Sequence, residues 1–307
     1  MGNHPVLPDI QSEPAKVPIR VKKVGLVRIR LPYASVHFGD GVIVVQRPLL
    51  TVYVDLPKSQ RGIHASRSYE SVFKVVNQST FSGLRLEDIC AQVAEELLSK
   101  HEYATNSSCE LSGEIFRVSK APTSMVESYE AIPVWAYSAA ERLDGRVRTR
   151  RGIGVSVSGV TACPCAQQTV KTLAEWEKNS IIGDDKIVGT HMQRTVTSVR
   201  LFLVDGETVD LLDLADLVKE CMSAPSYEAL KRIDEGRVVL KALSNPLFVE
   251  DVARLVAAQV SKRYRSLDNR TRLTIRVRSI ESIHSYDLEA RLSATLGEIR
   301  ESLRNQL

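Results

Sequence analysis

Hydrophobic and polar positions alternate along much of the chain. Leu50, Val52, Val54 and Leu56 are separated by Thr51, Tyr53 and Asp55, the period of two that turns one face of a strand into a core. The same pattern predicts strands over 21–31, 42–46, 110–118 and 132–139 in the first half. In the second half it predicts strands over 146–161 and 195–204. Plainest of all is the run around Leu273, Ile275 and Val277, whose neighbours Thr274, Arg276 and Arg278 are polar. Elsewhere the apolar residues recur at helical spacing. Ile89, Val93 and Leu97 share one face of a helix predicted over 86–100, and further helices are expected over 167–176 and 210–222. A last helix is expected from Asn245 to about Arg263, with Val249, Val252, Val256 and Val260 inward. Asn245 would be its cap and Pro246 its first residue.

This order of elements repeats one plan twice, without residue identity between the halves. Residues 1–18 hold four prolines and read as an irregular arm. Residues 19–143 and 144–307 then each read as strands plus helices, with a polar motif following a strand. The expected class is α+β, tandem modules with antiparallel sheets and helices packed on one face. Composition agrees with such cores: 43% of the 307 residues are hydrophobic and 25% charged. Net charge is +4, from 41 Lys and Arg against 37 Asp and Glu. That is weak for a nucleic-acid binder and adequate for a polyanionic small molecule. Five cysteines, an odd number without framework spacing, point to a reducing compartment. No stretch suits a membrane span or an apolar leader, so no membrane partner and a cytoplasmic location are expected.

The densest chemistry lies in Cys163-Pro164-Cys165, where a predicted strand meets a predicted helix. Pro164 biases Cys163 towards extended backbone, and the helix start separates the two sulfurs, so they are expected to have different jobs. One can bind a metal; the other, at a helix N-terminus, can serve acid–base chemistry. Cys163, His191, Glu235 and His284 all fall near element ends, and their mixed donors suit zinc or ferrous iron better than magnesium. Each also has an ordinary reading: a buried thiol, a satisfied histidine, and for Glu235 a solvated charged turn over 232–237, which spacing alone favours. Glu250 pairs with Arg254 along a helix, or else presents a carboxylate to two N–H donors such as guanine N1 and N2. Arg61, Arg67 and Arg194 flank the motifs and can hold phosphate oxygens. Arg146, Arg148, Arg150 and Arg151 read as a strand edge or subunit contact. Neither a Walker-type loop nor a dinucleotide fingerprint is present.

Taken in order, several pieces resemble the type IB family of GTP cyclohydrolase I, over most of the chain. They are Asp55-Leu56-Pro57 with Gln60-Arg61-Gly62-Ile63-His64-Ala65-Ser66-Arg67; Cys163-Pro164-Cys165; Thr190-His191-Met192-Gln193-Arg194; Asp234-Glu235; Asn245-Pro246-Leu247-Phe248-Val249-Glu250-Asp251; and Glu281-Ser282-Ile283-His284. The resemblance implies the tunnelling fold, two modules per chain, and a homodimer or homotetramer with active sites at subunit interfaces. It implies Cys163, Glu235 and His284 as metal ligands, with Glu281 and His191 close by. It also implies Cys165 and His191 as acid–base groups and Glu250 as the guanine anchor. The implied reaction hydrates GTP at C8, opens the imidazole ring, releases formate and rebuilds a pterin ring. A bound metal and a proton-shuttling thiol or imidazole meet the needs of that chemistry.

Two features incline the reading to the archaeal branch. These are a long polar insert around Glu175 to Gly189, and His-Met-Gln-Arg at 191–194 where His-Asn-Gln-Arg is commoner. That branch uses ferrous iron, with zinc or manganese as substitutes, and yields 7,8-dihydroneopterin 2′,3′-cyclic phosphate for methanopterin-type cofactors. The alternative is the folate-type enzyme, which yields dihydroneopterin triphosphate. Lesser rivals are a tunnelling-fold nitrile reductase, which needs NADPH and no catalytic metal, and a non-enzymatic nucleic-acid binder using the Arg146–Arg151 run.

Overall fold

The period-two residues of the first half all turn inward: Leu50, Val52, Val54 and Leu56 are buried in a strand that spans Gly41–Leu56. The computed structural model describes residues 8–305 apart from 33, 39–40, 80–83 and 178–187. The polar insert read between Glu175 and Gly189 falls largely outside the described residues. Within them the order of elements is β1 (Val21–Arg30), β2 (Ala34–Phe38), β3 (Gly41–Leu56), α1 (Ala65–Ser79), α2 (Leu86–Lys100), β4 (Asn106–Lys120), β5 (Glu127–Leu143) and β6 (Arg146–Ala162). There follow α3 (Pro164–Trp176), β7 (Met192–Leu203), α4 (Leu211–Glu220), β8 (Ala224–Pro225), α5 (Arg232–Ser244), α6 (Val249–Arg263), β9 (Arg272–Ile280), β10 (Leu288–Thr295) and α7 (Leu296–Arg304).

The chain divides into two compact units, one of residues 1–114 with 135–152 and one of residues 115–134 with 153–307. The contiguous modules expected from the sequence, 19–143 and 144–307, part at the β5–β6 turn instead. The compact units part β4, β5 and β6 along their length, because each of these strands is long enough to serve both. In the first unit the strands are ordered β1-β3-β4-β5-β6, with β2 on β3. Its core joins the inward residues of β3 to Cys109 and Leu111 of β4 and to Ile89, Val93 and Leu97 of α2. The two strands read over 42–46 and 50–56 are one. Arg47, with φ of 48°, and Pro48 sit at a shift in the pairing with β4, and this irregularity breaks the alternation.

In the second unit the order is β4-β5-β6-β7-β9-β10, with β8 on β6. Ile153, Val155 and Val157 of β6, Leu273, Ile275 and Val277 of β9, and Val252, Val256 and Val260 of α6 are buried. Asp210 caps α4, accepting from the N–H groups of Leu212 at 2.7 Å and Asp213 at 2.9 Å, a cap worth about 1 kcal/mol.

Two expectations change. Residues 232–237 are not a solvated turn but the start of α5, and α6 begins at Val249 rather than at Pro246. Asn245 ends α5, and its side-chain amide donates to the Met222 carbonyl at 3.4 Å. The Leu247 N–H is committed to the Ala162 carbonyl at 3.0 Å, which holds 245–247 out of the helix. Asp251 then accepts the Phe248 N–H and closes the first turn of α6.

Asp234 explains why α5 starts where it does. Its buried carboxylate accepts from the N–H groups of Thr123 at 2.8 Å, Ser124 at 2.9 Å and Lys231 at 2.9 Å, and from the Ser124 hydroxyl. Burial alone would raise its pKa, but the Ser124 hydroxyl and the three N–H donors outweigh it and hold the pKa near 2, against an ordinary 3.8. Because the folded value is depressed, the stabilisation is present above the unfolded value and is lost as pH falls from about 4 towards 2. Asp234→Asn should therefore lower stability at neutral pH and flatten that acid limb. Urea midpoints measured across this range check it, and an unchanged acid slope would contradict it.

Candidate functional site

The expected cysteine pair sits where the sequence puts it. β6 ends at Ala162, Cys163 is the extended N-cap residue of α3 (φ −76°, ψ 115°), and Pro164 is the first helical residue. The two thiols differ in environment: Cys163 is half-buried and Cys165 exposed. Cys163 Sγ accepts the Ala166 N–H at 3.4 Å, so the sulfur faces the start of the helix. All five cysteines are free thiols.

Four chain segments are fastened to this junction by hydrogen bonds. The Cys163 N–H donates to the His191 carbonyl at 3.2 Å, and the Thr190 hydroxyl donates to the Cys163 carbonyl at 2.8 Å. The Ala162 N–H donates to the Ser223 hydroxyl at 3.2 Å, and the Ala162 carbonyl accepts from Leu247. From the first turn of α3, the Gln167 side-chain amide reaches the carbonyls of Val188 at 3.0 Å and Leu243 at 2.8 Å. Ala162, Ala224 and Ala242 pack together beneath, small enough to let β6, β8 and α5 approach closely. The junction is thus a fixed point, with His191 on one side and the chain leading to Glu250 on another.

His191 has its ring orientation set by a chain of hydrogen bonds. Its Nδ1 lies 3.0 Å from Gln193 Oε1; Gln193 Nε2 donates to the Thr161 hydroxyl at 3.3 Å, which meets the Thr195 hydroxyl at 2.7 Å. An amide oxygen only accepts, so with Gln193 Oε1 facing it Nδ1 is the donor, which in the neutral ring leaves the Nε2 lone pair for other work. Thr161 and Thr195 are fully buried, so losing either hydroxyl strands its partner at a cost of about 1–3 kcal/mol. Glu281 Oε2 is 4.0 Å from His191 Nδ1, with the Glu281 side chain 1% exposed and its other oxygen accepting from the Ser279 hydroxyl at 2.6 Å. The His284 ring stands perpendicular to that of His191, with centroids 6.4 Å apart, and lies flat against Tyr286 at 5.0 Å. β7 and β9 make this convergence: Arg194 pairs with Ile280, so the residues just before the one and just after the other emerge together.

The structure therefore brings Cys163, His191, Glu281 and His284 to one end of the second unit, with Arg194 beside them and exposed. Glu235 is exposed on the first turn of α5, and among the described residues no hydrogen bond or ion pair joins it to that group. Among the described residues no three of His, Cys, Asp and Glu are already disposed to hold an ion. Glu250 is exposed in the first turn of α6. Arg254 pairs with Asp251 at 3.3 Å, not with Glu250, so the helix ion pair considered for Glu250 is not formed.

In the first unit, Arg61 is engaged rather than free. Its guanidinium meets Glu13 at 2.7 Å, and its N–H and that of Gly62 bond to the Gln11 carbonyl. His64 meets Asp9 at 3.0 Å. Arg67 is exposed on α1. Sequence reasoning missed the acidic residues of the arm that occupy this motif and, in the second unit, the structural role of Asp234 beside the expected Glu235. Neither role has a sufficient local signal, since each depends on partners far along the chain.

Known proteins resemble this chain in sequence and in fold. The profile of the family described as type I GTP cyclohydrolase folE2 matches residues 7–290. Similar chains include the GTP cyclohydrolase MptA of Methanobrevibacter smithii, 30% identical over 97% of this chain and 98% of that one. GTP cyclohydrolase MptA 2 of Methanocella arvoryzae is 34% identical, over 96% and 98%, and the MptA of Methanocorpusculum labreanum 35%, over 97% and 99%. Among solved structures, a uricase from Bacillus fastidious superposes with a TM-score of 0.53 at 9% identity, covering 94% of this chain and 96% of that one. Urate oxidase from Bacillus sp. TB-90 does so at 0.52 and 9%, covering 90% and 100%. Likeness at that identity establishes the architecture alone, the α+β tunnelling fold. The sequence relatives establish the family: this chain belongs to the type I GTP cyclohydrolases.

Proposed function

We propose that the chain is a metal-dependent GTP cyclohydrolase that hydrolyses the imidazole ring of GTP, releases formate and yields 7,8-dihydroneopterin 2′,3′-cyclic phosphate. The observation that carries this reading is the convergence of the Cys163, His191, Glu281 and His284 segments on one junction, in a chain of this family. The cyclic-phosphate product is favoured over the triphosphate by the His191-Met192-Gln193-Arg194 tetrad and the insert before it.

Ferrous iron is the proposed ion, with zinc or manganese able to replace it. Thiol, imidazole and carboxylate donors suit such an ion by their chemistry, and Cys163 and His284, with Glu281 at their side, would hold it together with Glu235 once that exposed carboxylate is drawn to the group. When bound, the ion supplies Lewis-acid activation of the water that attacks C8. The protein's own groups do the remaining work. His191, its Nδ1 proton committed to Gln193, takes a proton at Nε2 from the attacking water and returns it to the departing ring nitrogen. Cys165, exposed in the first turn of α3, carries protons in the later collapses at Sγ. Glu250 accepts from guanine N1–H and N2–H, a role for which its exposed carboxylate in the first turn of α6 is suited. Arg61, Arg67 and Arg194 hold the phosphates, Arg61 after exchanging Glu13 for a phosphate oxygen.

A homodimer or homotetramer completes the proposal. Among the described residues β1 and β10 each have one edge without a strand partner, and Val27, Ile283 and Tyr286 are exposed apolar residues on or beside them, a surface that self-association would cover. No helix among the described residues is long and apolar enough to cross a membrane. The free thiols suit the reducing cytoplasm proposed as its location.

Incubating metal-free protein anaerobically with GTP, with and without ferrous iron, tests the reading. Iron-dependent formate, a cyclic-phosphate pterin and pyrophosphate are expected. A triphosphate pterin would move the chain to the folate-type reaction, and the absence of formate would overturn the proposal. In steady-state kinetics, Glu250→Ala should keep its metal and raise the KM for GTP about tenfold or more, since two hydrogen bonds to a charged acceptor are lost. An unchanged KM would return Glu250 to a simple helix-terminal carboxylate.

A further inference from the structure

The first unit holds a cavity of about 370 Å³ that the GTP reading does not use. It opens on the face of the sheet turned away from the core. Val52 of β3 and Cys109 of β4 are buried and absent from its lining, whereas Tyr53 and Ser108, paired in register between those strands, line the cavity. Its floor carries hydroxyl donors. Tyr137 of β5 shares a hydrogen bond with Ser108, and both line the cavity beside Tyr53.

The rim is cationic. Arg20 comes from just before β1, Lys22 and Lys23 from its start, and Arg150 from β6. Consecutive Lys22 and Lys23 both line the cavity because the β1–β3 pairing shifts register between Val21 and Val24. Against four cations stands one lining carboxylate, Glu141, at 3.9 Å from Arg150. Arg20 is partly neutralised by Asp55 at 2.5 Å, but neither lysine has a carboxylate partner among the described residues. The tyrosine faces are already engaged: Lys23 Nζ lies 5.6 Å over the Tyr53 ring, and Tyr137 stacks on Trp135 at 5.8 Å. A ring-bearing ligand would find little free π-surface, so the donors are directed to oxyanions.

We propose that this cavity is a binding site for a polyphosphate group, either free inorganic pyrophosphate or triphosphate or the phosphate chain of a nucleotide. Four cations around a floor of hydroxyls match several adjacent anionic oxygens, and a partly enclosed site screens them less than open solvent does. Asp55 fixes Arg20 in place, accepting also from the N–H groups of Thr105 at 2.8 Å and Asn106 at 2.6 Å, so the rim is built before a ligand arrives.

Calorimetric titration of the metal-loaded protein with inorganic triphosphate at fixed ionic strength, repeated with pyrophosphate and with GTP, tests the proposal. The double variant Lys22→Ala/Lys23→Ala should bind triphosphate about tenfold or more weakly at one site per chain, while its kcat and KM for GTP stay near wild type. A charge-matched control, Lys100→Ala/Lys262→Ala, should bind as wild type does. Stronger binding of pyrophosphate and triphosphate than of GTP would identify the free anion as occupant, and the reverse order the nucleotide. Equal triphosphate binding by wild type and the Lys22/Lys23 variant would overturn the proposal, as would equal losses in the control. A large rise in KM for GTP in the Lys22/Lys23 variant alone would also overturn it, by making these lysines part of the substrate site.

Discussion

The hydrogen bond from the Cys163 N–H to the His191 carbonyl is the constraint on which the site depends. It joins the end of β6 to the start of β7 across the intervening helix α3. β7 in turn is zipped to β9 from Arg194–Ile280 to Phe202–Arg272. Through that ladder the position of Cys163 is transmitted to Glu281 and His284. The Leu247–Ala162 bond does the same for the chain that leads into α6 and Glu250. A sulfur, two imidazoles and a carboxylate drawn from residues more than 100 apart in sequence thus share one end of one unit. Backbone bonds within a sheet-and-helix scaffold hold position more firmly than loop side chains would, which is what a reaction with several proton transfers requires.

Acidic residues divide into two kinds. Asp55 and Asp234 are buried, accept several hydrogen bonds each and fasten β3 and α5 to neighbouring turns. Glu235 and Glu250, each placed in the first turn of a helix, are exposed and take no part in such networks. The adjacent pair Asp234-Glu235 shows the division at its sharpest: one carboxylate builds the helix, and the next is left available. A carboxylate with no structural partner can be recruited by a ligand without first breaking a stabilising network. Arg61 is the opposite case, since Glu13 already neutralises it and any phosphate must compete with that carboxylate.

Much of this was legible in the sequence. The alternation at Leu50 to Leu56 and Leu273 to Val277, and the spacing of Ile89, Val93 and Leu97, follow from burial of one face and turned out as read. The break at Pro164 placed Cys163 correctly because proline acts locally on its neighbour. What failed was what depends on distant partners. Asn245-Pro246 has the composition of a helix start, yet the Leu247 N–H is drawn to Ala162 and the helix waits until Val249. α5 has little apolar periodicity, and only Asp234 with its bonds to Thr123 and Ser124 explains it. The engagement of Arg61 and His64 by Glu13 and Asp9 likewise crosses some fifty residues.

The different settings of the two neighbouring thiols lead to one decisive observation: which of them would ligate the proposed ion. Cobalt(II), offered in place of the proposed iron, reports thiolate ligation through a sulfur-to-metal charge-transfer band in the near ultraviolet. That band should persist in Cys165→Ser and vanish in Cys163→Ser, with both variants folded by circular dichroism. A band that survives in Cys163→Ser, or is lost only in Cys165→Ser, would contradict the assignment of Cys163 as the anchored ligand.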